Sequence, residues 1–180
     1  MMPDEAISLI DHDATWATRF AEQQVRLSEL LGPLLVGSIE HVGSTAVPGL
    51  RAKPIVDLLA PVTSLAVARH AIPRLTEGGW LFWPDDPNGG YRLWFLRPRP
   101  DARTHHLQII AHDHPAARAL IVFRDALRED PGLRDAYAAL KGQLAARHRN
   151  DRDAYTNAKA DFVRAVLRAQ GAAEPPRRPL

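Results

Sequence analysis

The sequence predicts an α+β (mixed α/β) fold: one mixed sheet flanked by helices, with a helical C-terminal region. Three observations carry it. An amphipathic helical period opens the chain, short apolar runs bounded by glycine and proline fill its middle, and helical periodicity takes over from Pro115. A chain of 180 residues with 46% apolar content suffices for one well-filled core. A single domain is therefore expected over residues 1–170, with the last ten residues, GAAEPPRRPL, as a frayed tail over 171–180.

Residues 13–31 read as the first helix, because Trp16, Phe20, Leu27, Leu30 and Leu31 fall on one face and Gly32-Pro33 stops it. A strand is expected over Leu34 to Ile39, leading into the turn-rich stretch from Glu40 to Gly49. Ile55 to Ala60, bounded by Pro54 and Pro61, reads as a buried strand in which Asp57 is the odd residue. The spacing then predicts a helix from about Ser64 to Glu77, bent near Pro73 and ended by Gly78-Gly79. Trp80 to Trp83 and Tyr91 to Leu96 suit two antiparallel strands, and His106 to Ala111 a further one. Three helical faces follow, with Asp130 and Asp151 as natural N-caps of the second and third.

Composition excludes several chemistries. There is no cysteine, so disulfides, thiolate ligands and cysteine nucleophiles are absent. The N-terminus carries acids where a secretory signal carries bases, and no apolar run is long enough for a membrane span, so a cytoplasmic location and no membrane partner are expected. The pI of about 9.3 accompanies a net charge of only +2 with interspersed signs, which argues against nucleic acid as partner. Nearly all the positive charge is arginine; the only lysines are Lys53, Lys141 and Lys159. A lysine is a compact charge suited to a phosphate oxygen, although chance explains the pattern about as well.

The stretch Gly43-Ser44-Thr45 supplies small residues and backbone N–H groups of the kind a phosphate needs. It is not a Walker loop, since five residues separate Gly43 from Gly49 and Leu50 stands at the lysine position. It is not a nucleophile elbow either, because Val47 stands where the second glycine would be. What remains is a Gly-Ser pair followed, after twelve residues, by Asp57 in the next strand.

The segment EHVGSTAVPGLRAKPIVDLL (residues 40–59) resembles the signature of the GrpB family, whose members resemble the nucleotidyltransferase superfamily. DHDATWATRF, THHLQII, FRDALREDPGLRDAYAALK and YTNAKADFVRAVL extend the resemblance over nearly the whole chain. It implies a nucleotidyltransferase-like sheet in which Gly43, Ser44 and Thr45 grip phosphate. Asp57 is then catalytic as the first ligand of a divalent metal, Mg or Mn, and Arg51 and Lys53 neutralise charge. Lys141, Tyr155 and Lys159 match the family's C-terminal pattern and are expected to face the phosphates, unless they only solvate a helix face. The implied partner is a nucleotide or other phosphorylated small molecule; fusion of similar segments to dephospho-coenzyme A kinase extends this to coenzyme A precursors.

One departure stands out. Superfamily members carry a second carboxylate two residues after the first, on the same strand face, and this chain has Leu59 there. Where GrpB-like sequences have His-x-His, this one has His106-Leu107-Gln108. His106 is chosen over His105 as the residue that meets Asp57 and assists a metal, since neighbours on a strand face opposite ways.

Structural readings compete with these roles. Asp57 alternatively fixes the Gly-Ser turn, and His41 is read as structural. His112-Asp113-His114 is read as a capped turn before Pro115, Asp85, Asp86 and Asn88 as turn residues, and Trp80, Trp83 and Trp94 as core or sheet-face aromatics, one of which would stack a base if exposed. Two functions follow: metal-dependent nucleotidyl transfer to an unspecified acceptor, or non-catalytic binding of a nucleotide or coenzyme A precursor, which Leu59 favours. A protein- or RNA-interaction module draws only on the arginine content.

Overall fold

A computed structural model describes residues 7–174; residues 1–6 and the tail residues 175–180 lie outside the described part. Helix α1 spans Thr15–Leu31, and the Asp13 carboxylate accepts the Thr15 N–H at 2.8 Å where the helix begins. The strand expected at Leu34–Ile39 does not form. A 3-10 turn over Gly32–Leu34 leads into chain held at Val36, whose N–H donates to Pro61 O, and Gly37 then adopts φ +79. That left-handed glycine interrupts the extended run. The strand, β1, is displaced to Glu40–Val42.

β2 covers Val56–Val62 and includes Pro61, expected as its boundary. The Pro61 carbonyl accepts from Val36 N, and the next residue, Val62, accepts from His112 N on the opposite side. The missing N–H of Pro61 thus faces the side where β1 has already ended, and no ladder bond is forfeited. The expected helix near Pro73 is two helices, α2 (Leu65–Ala68) and α3 (Ile72–Glu77), joined by a 3-10 turn, and Pro73 lies in the first turn of α3. β3 (Leu81–Phe82), β4 (Arg92–Arg97) and β5 (His105–Ala111) complete the strands.

The sheet order is β1-β2-β5-β4-β3, with β2 and β5 parallel and every other pair antiparallel. Alternation along the strands sends Val56, Leu58, Ala60, Leu107, Ile109, Leu93 and Phe95 to one face, where they pack with Trp16, Leu27 and Leu31 of α1 and Leu75 of α3. On the other face Val42, Leu59 and Ile110 meet Ala116 and Ala117 of α4 (Pro115–Glu129). α5 (Pro131–Arg147), α6 (Arg152–Ala158) and α7 (Ala160–Ala169) extend this second layer. Their starts follow the sequence. His114 accepts from Ala116 N at 3.2 Å, Asp130 from Leu133 N at 3.0 Å, and Asp151 from Ala154 N at 2.8 Å. The third expected helix is divided between α6 and α7, with Lys159 at the junction. No described helix is long and apolar enough to cross a membrane.

Candidate functional site

Where β1 ends, Gly43 takes φ +73, and a Cβ built on it would lie 2.5 Å from Asp57 Oδ2. Glycine is required here twice, by the left-handed backbone and by the carboxylate against its Cα. Ser44–Ala46 then forms one 3-10 turn. Thr45 is 3% exposed, with its hydroxyl 3.3 Å from Ile55 O and 3.0 Å from His41 Nε2. Its hydroxyl fixes the turn, which leaves only its backbone to face the cleft that it lines. His41 is structural as expected: it stacks on Phe20 at 4.8 Å, and burial pushes its imidazole down to about 4, with Asp57 opposing and Arg128 and Arg124 adding to the fall.

Register places Asp57 between Val42 of β1 and His106 of β5, and His106 Nδ1 lies 3.0 Å from Asp57 Oδ1. A carboxylate only accepts, so Nδ1 carries the proton and Nε2 keeps its lone pair. Burial alone would raise the Asp57 carboxyl; the hydrogen bond from His106, with the charge of Lys53, outweighs it and holds Asp57 below its ordinary value. Burial also lowers His106, against the pull of Asp57. The pair is therefore an ionised carboxylate beside a neutral imidazole.

Asp57 and His106 open onto a cleft of about 740 Å³ between this sheet face and α5–α7, which Ser44 and Thr45 also line. All three lysines of the chain line it too. Lys141 is 2% exposed; its ammonium donates to Ser44 Oγ at 3.1 Å and to the Arg51 carbonyl. Lys53 and Lys159 share one aromatic ring, at 5.6 and 4.0 Å from the Tyr155 centroid. Burial lowers all three ammonium groups. Lys53 falls to about 7, helped by Arg152 and Lys159, and Lys141 falls to about 7, helped by Lys159. Lys159 falls to about 8, with Asp57 opposing and Arg152 assisting. Such crowding of desolvated cations is relieved by an anion.

The expected role of Arg51 is not supported by its position. Its side chain is 58% exposed and pairs with Asp11 at 2.9 Å, outside the cleft, while only its carbonyl reaches Lys141. Leu59 is fully buried among Val42, Ile110 and the alanines of α4, away from the cleft. The expected turn residue Asp86 is 7% exposed and holds Arg92 through two bonds, at 2.6 and 2.8 Å. Nothing in the sequence distinguished it from its neighbour Asp85. Tyr137, missed as a site residue, bonds Ser44 and lines the cleft. Its place one helical turn before Lys141 was the available signal.

A protein-built centre for Mg or Mn does not fit this donor set. Asp57 and His106 form a pair, and no group of three or more His, Asp or Glu able to hold a metal occurs among the described residues.

Fold and cleft together define a class: an α+β domain with a mixed five-stranded sheet whose second face carries a lysine-lined cleft beside a Gly-Ser turn. The GrpB protein model matches residues 6–169, and the chain belongs to the GrpB family. It is 32% identical to the glutamate-rich protein GrpB of Alkalihalophilus pseudofirmus, covering 89% of this chain and 94% of that protein. It is 31% identical to the UPF0157 protein YqkA of Bacillus subtilis over 91% of this chain, which spans only 47% of that relative's length. The crystal structure of conserved protein GrpB from Enterococcus faecalis superposes with a TM-score of 0.81 at 28% identity, covering 90% of this chain and 96% of that one. A more distant similarity, 28% identical, is to a dephospho-CoA kinase of Mycolicibacterium paratuberculosis, over 90% of this chain and 45% of that protein.

Proposed function

We propose that the cleft binds the phosphates of a nucleotide or related phosphorylated metabolite, held by Lys53, Lys141 and Lys159 with Ser44, without a metal centre built by the protein. One observation carries this reading: a chain with 23 basic residues has only three lysines, and all three line one cleft. Each ammonium is desolvated there, a cost that an anion offsets. A cleft of about 740 Å³ is of the size small-molecule ligands occupy. The dephospho-CoA kinase relative supports adenine nucleotides and coenzyme A precursors as first candidates. The reading favours binding over the nucleotidyl transfer implied by a nucleotidyltransferase-like fold, because Asp57 is the lone carboxylate of its strand face.

The test is a thermal-stability and calorimetric panel of ATP, GTP, CTP, UTP, coenzyme A precursors and inorganic tripolyphosphate, with and without magnesium or manganese. Metal-independent stabilisation by a phosphorylated ligand, lost in Lys159→Gln, is the expected result. Indifference to every phosphate would overturn the proposal. Pyrophosphate release from a nucleoside triphosphate would restore the transferase reading.

A further inference from the structure

The cleft has a second end that the lysines do not explain. We infer that this end is a nucleobase subsite, formed by the pair Trp83 and Trp94 and by the side-chain amide of Gln108; the inference rests on the reading that the lysine end holds phosphate.

The two indoles are neighbours across strands. The β3–β4 register pairs Leu81 with Leu96 and Phe82 with Phe95, and the Trp83 N–H donates to Trp94 O at 2.9 Å, which continues it by one residue. Phe82 and Phe95 turn toward the sealed core, where their rings lie 5.2 Å apart, so alternation sends Trp83 and Trp94 to the cleft face. Both line the cleft and are only partly buried, whereas Trp16 and Trp80 are 0% and 1% exposed. A partly open indole offers a ring on which a planar base stacks.

Arg92 brings no net positive charge to this end, which the Asp85 carboxylate also lines. Arg92, 5.1 Å over the Trp94 ring, is bound through two nitrogens to Asp86, whose side chain is 1% exposed. The pair is neutral overall, so this end does not compete with the lysines for phosphate.

Arg92 also settles which way Gln108 points. Its Nη1 donates to Gln108 Oε1 at 2.7 Å, and a guanidinium has no acceptor, so the amide cannot be reversed without losing that bond. The Gln108 amide nitrogen is therefore the atom left for a ligand in the cleft that Gln108 lines. A neutral, planar group with a hydrogen-bond acceptor meets all three conditions, and a ring nitrogen or carbonyl of a nucleobase is such a group.

The test uses the full chain and calorimetric titration with ATP, GTP, CTP, UTP, inorganic tripolyphosphate and a ribose polyphosphate lacking a base. At least one nucleoside triphosphate should bind roughly tenfold tighter than both base-free ligands, as stacking plus a hydrogen bond provides. Trp83→Ala should remove most of that advantage and leave tripolyphosphate affinity within about threefold, which also shows that the variant is folded. Gln108→Glu keeps the bond to Arg92 and removes the donor, so the ratio of nucleotide to tripolyphosphate affinity should fall. The inference is overturned if no nucleotide exceeds the base-free ligands or if both variants leave that ratio unchanged. Tripolyphosphate that fails to bind, or binds Lys159→Gln equally well, sinks the lysine reading instead. Nucleotide affinity that still depends on Trp83 and Gln108 would then keep the subsite, and its absence would remove both.

Discussion

Leu59 follows Asp57 by two residues and shares its strand face, yet the two side chains occupy different environments. Asp57 opens onto the cleft with 29% of its side chain exposed, and Leu59 is sealed at 0% beneath α4. Position 59, where the sequence resemblance implied a second carboxylate, thus belongs to an apolar cluster closed off from the cleft.

Placing a carboxylate at position 59 should accordingly damage the fold without building a metal site. Leu59→Asp places an unpaired charge among Val42, Ile110, Ala116 and Ala117, and a loss of about 3 kcal/mol or more is expected in denaturant unfolding. Manganese binding gained at unchanged stability would refute this account.

Gly43 and Gly49 separate two costs that both glycines share in part. Each has positive φ, but a Cβ at 49 meets only the end of the Arg134 side chain at 3.6 Å, whereas one at 43 meets Asp57 Oδ2 at 2.5 Å. Gly49→Ala should cost about 1 kcal/mol of backbone strain, and Gly43→Ala at least about 1 kcal/mol beyond that together with weakened phosphate binding. Equal destabilisation by the two variants would mean that the contact with Asp57 does not constrain position 43.

Phosphate binding and the stability of the free protein should respond to pH in opposite directions. Lys53 and Lys141 titrate near 7 and Lys159 near 8, all below the ordinary 10.5. Between those values and 10.5 the unfolded chain binds more protons than the folded one. The burial cost of the three ammonium groups is therefore full below about 7 and relieved as pH rises, so their contribution makes the free protein more stable with rising pH. An anion favours the charged forms, so tripolyphosphate should bind with proton uptake near pH 8 and lose affinity from about pH 6 to 9. Calorimetry in buffers of different ionisation enthalpy measures that uptake directly; zero uptake across this range would contradict the assignment.

Arg51 and Lys141 make a contrasting pair of substitutions. Arg51→Ala removes an exposed ion pair with Asp11 and should change stability by under about 0.5 kcal/mol and ligand affinity hardly at all. Lys141→Met keeps the buried stem but strips the bonds to Ser44 and to the Arg51 carbonyl, so phosphate affinity should drop about tenfold or more. Titrating both variants with tripolyphosphate checks the pair, and the reverse ranking would return Arg51 to the site.

Much of this site was legible because its parts obey short-range rules. Alternation chose His106 over His105 as the partner of Asp57, and the in-register parallel pairing of β2 and β5 brought the two within 3.0 Å. Asp130 and Asp151 announced the starts of α5 and α6 by the geometry of a cap. Arg51 misled because it and Lys53 sit on an irregular connection, where two residues of separation do not fix a common direction. The missing strand at Leu34–Ile39 misled for a similar reason: its apolar residues fit a strand, but a left-handed glycine at 37 broke the run.

The sequence by itself determined where most helices and strands lie, the glycine turn with its neighbouring acid, and the scarcity of lysine, since these depend on residues a few positions apart. Tertiary structure alone decided that Lys141 meets Ser44 across 97 residues and that Leu59 is closed off from the cleft beneath α4. Such contacts are set by how the C-terminal helices dock on the second face of the sheet. Docking is governed by packing and burial summed over many side chains, and no local period encodes it.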